Sequence, residues 1–267
     1  MSESPILVVK IGGSTLGSHD TSLEDLVALV GQGWRPLVVH GGGAAISEWL
    51  KLHDTPTRFV RGLRVTDAAT LRVVVAVLAG LINKELVAAI NARGGRAIGL
   101  SGADGALIRV SPLEPELGYV GQIEQVDGAM LRRLLDEGYL PVVAPLGLLW
   151  QDDGPRDQIM NINADTVAGE VALALGARWL VFLTDVPGIA GRDGDSLARL
   201  SPVEATALVE EGVVSGGMIP KVEACLRAAT GGTRTAIIDG RQPHALQAAL
   251  KRGEPAGTII GPEKEAQ

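Results

Sequence analysis

The chain has 267 residues, 46% of them hydrophobic but only 3% aromatic, and a formal net charge of −7. That length suits one large α/β domain or two lobes sharing a sheet, with aliphatic side chains filling the layers. The acidic balance argues against a nucleic-acid surface, so an anionic ligand would have to be held by local lysines and backbone amides.

The wholly apolar run Ile6-Leu7-Val8-Val9 predicts a buried strand, and it ends in Lys10-Ile11-Gly12-Gly13-Ser14. An ammonium beside an apolar core loses hydration unless an anion replaces the water. Glycine amides and the following helix dipole would favour the same anion, so the stretch reads as a phosphate or carboxylate site. It matches neither a P-loop nor a dinucleotide-binding fingerprint, and a strand-to-helix turn with a snorkelling lysine is the alternative. Ser22-Leu23-Glu24-Asp25 resembles a capping box opening a helix that Gly31 and Gly33 stop.

Pro36 to His40 reads as a second buried strand, Gly41-Gly42-Gly43 as a second glycine loop and Ala44 to Leu52 as a helix. A right-handed βαβ unit places both glycine loops at one edge of a parallel sheet, where they can converge on one ligand. His40 at a strand end is either a hydrogen-bonded structural histidine or a general base. The run from about Ala68 to Ala92 is helical and apolar on more than one side, which predicts burial against a second copy of the chain, with burial inside a single chain as the alternative. No apolar run reaches about 18 residues and the N-terminus has no basic leader, so a cytoplasmic protein is expected.

Arg96 to Leu100 reads as a third parallel strand ending in a glycine loop at Ser101-Gly102, followed by a hairpin between Ala106 and Gln125. A helix around Leu131–Leu135 and a strand at Pro141–Ala144 precede a polar loop containing Asp152, Asp153 and Gly154. The chain then returns to Asn161-Ile162-Asn163-Ala164-Asp165, where Asp165 is placed to start a helix through Leu175 as an N-cap. Trp179–Leu183 is a strong strand, turned by Thr184-Asp185-Val186-Pro187-Gly188, and Ser201-Pro202-Val203-Glu204 is a capped helix start. Ser215 to Lys221 opens another helix with a lysine in its first turn, where the dipole disfavours positive charge; a glycine pair plus this lysine reads as a second anion site. Cys225, the single cysteine, lies in an apolar run and reads as a packed thiol. Thr235–Ile238, a helix from Pro243 to Lys251 and the strand Gly257–Ile260 complete the pattern.

Taken together, Lys10-Ile11-Gly12-Gly13, His40-Gly41-Gly42-Gly43, Gly62-Leu63-Arg64-Val65-Thr66, Asn161-Ile162-Asn163-Ala164-Asp165, Thr184-Asp185-Val186-Pro187-Gly188 and Gly217-Met218-Ile219-Pro220-Lys221 resemble the amino acid kinase family. The match extends from about Lys10 to Ile260 and is strongest to the branch of arginine biosynthesis that phosphorylates N-acetyl-L-glutamate on its side-chain carboxylate. The resemblance implies an α/β fold: an open, mostly parallel central sheet sandwiched between helices, in two lobes sharing one sheet. Residues to about 177 would bind the acyl amino acid and dimerise, and those from about 178 would bind ATP.

By motif position, the resemblance implies that Lys10, Lys221, Asp165 and Gly13 form the catalytic set, with Asp165 holding both lysines. Gly42, Gly43, Arg64, Asn161 and Asn163 would bind the acyl amino acid. Gly12, Thr184, Asp185, Gly188, Ile189, Val213, Ser215, Gly217 and Met218 would serve the nucleotide. Phosphoryl transfer spreads negative charge over three equatorial oxygens, which suits lysines, a metal ion and glycine amides. A carboxylate acceptor is already ionised at neutral pH and requires no general base. Magnesium would arrive with ATP, keeping mainly phosphate and water ligands.

The arginine-inhibited hexameric members carry a helix ahead of the first strand, where this chain has only a short segment before Lys10. The expectation is therefore a homodimer without arginine feedback, although Asp239-Gly240-Arg241 and Pro243-His244 resemble the tail of regulated members. Ala103 stands where many members have a lysine. The alternatives are a kinase for aminoadipate or glutamate attached to a carrier protein, and a non-catalytic nucleotide-binding protein on the same scaffold.

Overall fold

The computed structural model describes residues 4–12, 21–250 and 257–261. Gly13 and the rest of the first glycine loop lie outside the described residues, as does Lys251 at the expected end of the last helix.

Among the described residues an 11-stranded sheet runs through the molecule, nine of its strands in the order β13-β15-β14-β10-β1-β2-β8-β6-β7 and two more paired with β8 off this path. Its centre is parallel: β14 (Arg234–Asp239), β10 (Trp179–Thr184), β1 (Ile6–Ile11), β2 (Arg35–His40) and the first part of β8 (Leu140–Gln151). β5 (Ala97–Gly102) and β6 (Ile108–Pro112) lie parallel to β8, and β7 (Gly121–Val126) closes the expected hairpin with β6. At the other end β15 (Gly257–Ile260) runs antiparallel to β14, beside β13 (Arg199–Leu200).

β1 has Leu7, Val8 and Val9 fully buried because helices cover both faces. One face carries α5 (Gly128–Asp136), α6 (Ala164–Leu175), α7 (Pro202–Glu210) and α8 (Ile219–Ala229), packed on Ile6, Val8, Leu37 and Phe182. The other carries α1 (Ser22–Gly31), the helix α4 (Asn83–Ala92) and α9 (Ala245–Leu250), packed on Leu7, Val9, Ile11 and Val181. Helices α2 (Gly43–Leu52) and α3 (Ala68–Val75) enclose a smaller cluster with Ala144 and Leu146.

Helices α3 and α4 are the ends of one continuous helix, Ala68–Ala92, joined by a π-helical segment, Ala76–Ile82. Asp67 caps it by accepting from the Thr70 N–H. Its length and mean hydropathy of 2.1 over 18 residues would suffice to cross a membrane, so the sequence reading underestimated its apolar character. Only 33% of that stretch is buried within the chain, and Val73, Val75, Ala79 and Leu81 are half-buried.

Four local expectations are corrected. Ser22 does not cap α1; Thr21 occupies the cap position without a side-chain cap bond, and its hydroxyl accepts from the His244 N–H. Ser101-Gly102 is no terminal glycine loop but the irregular end of β5, where a Cβ on Gly102 would lie 1.9 Å from the Leu146 carbonyl oxygen. The polar segment after Asp153 is a strand, β9 (Gly154–Asn161), antiparallel to β8. Asp165 is not the cap of α6: Asn163 is, accepting from the Asp165 and Thr166 N–H groups. By contrast Ser201 and Glu204 form a full capping box at α7.

Candidate active site

Strand order reverses beside β1: β2 lies on one side and β10 on the other, with the later strands β8 and β14 beyond each. Parallel α/β sheets bind ligands at such a switch point, in the crevice beyond the strand ends. Lys10 and His40 stand there, on β1 and β2. Strand alternation decides which way Lys10 projects: it shares parity with Ile6 and Val8, hence the face covered by α6 and α8.

On that face Lys10 meets Asp165, Nζ to Oδ1 at 2.7 Å. Lys221 donates to the other carboxylate oxygen at 3.0 Å and to the Gly217 carbonyl at 3.0 Å. The Lys10 contact is a close ion pair without hydrogen-bond alignment, which leaves Oδ1 without an aligned donor among the described residues. Asn163 makes the arrangement possible: by capping α6 it frees the Asp165 carboxylate to face the lysines. Asp165 also sits in the first turn of α6, where the dipole favours it, and it offsets the unfavourable place of Lys221 in the first turn of α8. Two ammonium groups against one carboxylate leave one positive charge in excess, with Lys10 and Asp165 only 7% and 5% exposed. An anion placed there would recover the hydration the excess charge has lost.

A cleft of about 240 Å³ opens beside this triad, lined by Gly41–Gly43, Arg64, Asn161 and Asn163 together with Lys10 and Asp165. Arg64, 8% exposed, donates through Nη2 to the Gly43 carbonyl and the Ser47 hydroxyl, at 3.0 and 2.8 Å. Its guanidinium stacks over Phe59 at 4.8 Å, and burial lowers its pKa. The buried Nη1 has no partner among the described residues, a donor for which an anionic ligand is the natural acceptor. Asn161 donates to the Thr66 hydroxyl at 3.1 Å, and α2 points its N-terminus into the same cleft from Gly43.

His40 is 1% exposed and bonded to the Gly41 carbonyl at 2.9 Å. Burial, with a further contribution from the Lys10 charge, lowers its pKa to about 4, against a smaller raising effect of the Gly41 bond. It is neutral at pH 7, and of the two expectations the structural histidine is the one that fits. Cys225 is buried and free, its thiol pushed up to about 12 by burial, so it is no thiolate nucleophile.

A second cleft, about 330 Å³, lies between the turn Val186–Ala190 and the segment Val213–Met218. Its walls are mostly apolar, with Ile189, Val214 and Met218 prominent, which suits the flat base of a nucleotide. The triad at Asp165 is tied to both clefts: Lys221 follows the Val213–Met218 segment, and Lys10 lines the first cleft.

The model of the amino acid kinase family matches residues 5–239. The chain belongs to the amino acid kinase family. It is 45% identical over 262 residues to an acetylglutamate kinase of Dehalococcoides mccartyi, covering 97% of this chain and 96% of the relative. It is 49% identical over 247 residues to the acetylglutamate kinase of Thermosynechococcus vestitus, covering 90% and 82%. Among solved structures, the N-acetylglutamate synthase of Neisseria gonorrhoeae complexed with coenzyme A and N-acetyl-glutamate superposes with a TM-score of 0.81 at 27% identity, covering 98% of this chain and 61% of that one. The open, mostly parallel sheet between helices is the amino acid kinase fold.

Within this amino acid kinase, the structure brings Lys10, Gly42, Gly43, Arg64, Asn161, Asn163 and Asp165 to the first cleft and Gly188, Ile189, Val213, Ser215 and Met218 to the second. Gly12 closes β1. Thr184 ends β10 with its hydroxyl on Asp185; neither they nor Gly217 lines the second cleft, although Gly217 holds Lys221. Sequence reasoning missed Ala190, Gly194 and Ser196, which belong to a hairpin of β11 (Ile189–Ala190) and β12 (Ser196–Leu197). The turn residues Gly191-Arg192-Asp193-Gly194 were the available signal. It also missed Phe59, whose hairpin of β3 (Phe59–Val60) and β4 (Leu63–Arg64) carries Arg64 into the cleft.

Proposed function

We propose that the protein transfers the γ-phosphoryl group of ATP to the side-chain carboxylate of N-acetyl-L-glutamate, giving the acyl phosphate of arginine biosynthesis. The observation that carries this is the Lys10–Asp165–Lys221 triad, with one excess positive charge, between a cleft holding an Arg64 donor unpartnered among the described residues and an apolar cleft. The identity to acetylglutamate kinases over nearly the full chain supports the choice of acceptor.

In this reading Arg64 and Asn161 hold the acetylglutamate, with the amides of Gly42 and Gly43. Lys10 and Lys221 approach the transferring phosphoryl group from its two sides, where added negative charge in the transition state strengthens both contacts. Asp165 keeps the two ammonium groups from repelling each other apart, and Gly13 with Gly12 adds backbone amides. The acceptor carboxylate is ionised at neutral pH, so His40, neutral and turned to backbone, has no proton to take. Asp165 is already neutralised by its lysines and is a poor metal ligand, so magnesium would come with ATP and would supply further charge neutralisation there. The turn Val186–Ile189, with Thr184, Asp185 and the segment Val213–Met218, serves the nucleotide.

The same reading divides the chain into an acceptor and dimerisation lobe to about residue 177 and an ATP lobe beyond it. The outward face of Ala68–Ala92 is covered by the same helix of a second copy, giving a cytoplasmic homodimer. ADP release tests the proposal: it should require N-acetyl-L-glutamate and be absent with free glutamate. Release only with a carrier-linked glutamate or aminoadipate would transfer the assignment to the sister reaction.

A further inference from the structure

His40 and Asn83 form a buried hydrogen-bond chain that reaches the acceptor cleft from the apolar helix. Asn83, 1% exposed, directly follows the π-helical segment and opens α4. Lys84 Nζ donates to its Oδ1 at 3.0 Å, which fixes which end of the amide is oxygen. Its Nδ2 therefore donates, to the Val142 carbonyl at 2.9 Å and toward His40 Nε2 at 3.3 Å, with Leu100 O at 3.4 Å. Nε2 must then carry the lone pair, so the proton sits on Nδ1 and goes to the Gly41 carbonyl at 2.9 Å. Three donors run in one direction from an ammonium to a glycine carbonyl, and each bond polarises the next.

The carbonyl of Gly41 and the N–H of Gly42 belong to one planar trans peptide and point in opposite directions. Holding the carbonyl toward His40 turns the Gly42 N–H the other way, at the start of α2 where Gly42 lines the acceptor cleft. Two close approaches keep the chain in register. A Cβ on Gly99 would lie 2.0 Å from Asn83 Oδ1, and one on Gly42 would lie 2.6 Å from the ends of Leu78 and Ile82.

We propose that Asn83 and His40 are positioning residues for the acceptor loop: Asn83 holds His40 as the Nδ1–H tautomer, and His40 aims the Gly42 amide at the acyl amino acid. This rests on the reading of the Gly41–Gly43 cleft as the acceptor site. Neither residue touches the reacting atoms.

The test joins nitrogen-edited NMR of the histidine side chains with the kinetics of His40→Asn, His40→Gln and Asn83→Leu. Free neutral histidine prefers Nε2–H, so an Nδ1–H signal for His40 at pH 7 is diagnostic. Asparagine places its amide nitrogen where Nδ1 stood, whereas glutamine places it where Nε2 stood. His40→Asn should keep the KM for N-acetyl-L-glutamate within about threefold, while His40→Gln and Asn83→Leu raise it about tenfold, the loss of one net hydrogen bond. The KM for ATP should not move. An Nε2–H tautomer in the wild type would overturn the proposal, as would equal losses in both His40 variants with both KM values raised together. If a variant does not fold, the wild-type tautomer decides alone. A wild type without turnover on any acyl amino acid would instead refute the functional reading, and the tautomer would still decide the hydrogen-bond chain.

Discussion

Lys10 on β1 and Asp165 on α6 meet at 2.7 Å, the apposition that the resemblance implied and that neither local sequence explains by itself. The pair exists because Lys10 takes the parity of Val8 rather than Val9, and because Asn163 relieves Asp165 of the capping task. Replacing the carboxylate by its neutral isostere, Asp165→Asn, leaves two ammonium groups facing each other. The expected outcome is a kcat lowered by roughly 10²–10³, the scale of one lost electrostatic stabiliser, with the fold retained by circular dichroism.

Removing either ammonium should cost the same order. Lys10→Ala and Lys221→Ala are each expected to lower kcat by roughly 10²–10³ with smaller effects on KM. Near-normal steady-state turnover in either variant would remove that lysine from the transition state.

Arg64 is expected to act on binding. Arg64→Lys keeps the charge but loses the planar fork that reaches Gly43 O, Ser47 and the cleft together. Initial-rate kinetics should show a KM for N-acetyl-L-glutamate raised at least about tenfold, with kcat changed far less.

These expectations show how far the sequence reaches. The strand ending in Lys10, the glycine loop after His40 and the capped start at Ser201 were readable because each has a local cause: an apolar run, a turn residue, a cap. The strand β9 was not, since Arg156, Asp157 and Gln158 give no apolar alternation; it forms because β8 continues beyond its pairing with β2 and offers it a partner. The Asn163 cap was masked by Asp165 two residues on, an equally good capping type. Ser101-Gly102 looked like the other glycine loops, yet its glycine serves a close approach to Leu146. The site residues, and Asp165 holding both lysines, could be named by resemblance, whereas the strand parity and the Asn163 cap that bring them together could not.

The buried His40 predicts an acid limb in stability. Its folded pKa of about 4 lies below the ordinary 6.5, so between those values the unfolded chain binds the extra proton and stability falls as pH falls. Stability is fully present above about pH 6.5 and is lost toward pH 4, by roughly 3 kcal/mol at most. Urea unfolding at pH 7 and pH 4.5 should show a smaller loss for His40→Asn than for the wild type. Equal losses would place the acid limb elsewhere.

The outward face of Ala68–Ala92 predicts the assembly. Light scattering should give twice the chain mass, and Gly80→Glu, at an exposed position where an added Cβ would meet nothing within 4 Å among the described residues, should return the monomer without unfolding it.

The central claim is phosphoryl transfer to a carboxylate, and hydroxylamine trapping tests it most directly because only an acyl phosphate yields a hydroxamate. With Mg-ATP, the account predicts hydroxamate from N-acetyl-L-glutamate and none from free glutamate, aspartate or N-acetylaspartate. ADP release from N-acetyl-L-glutamate without hydroxamate, or no reaction at all, would contradict it.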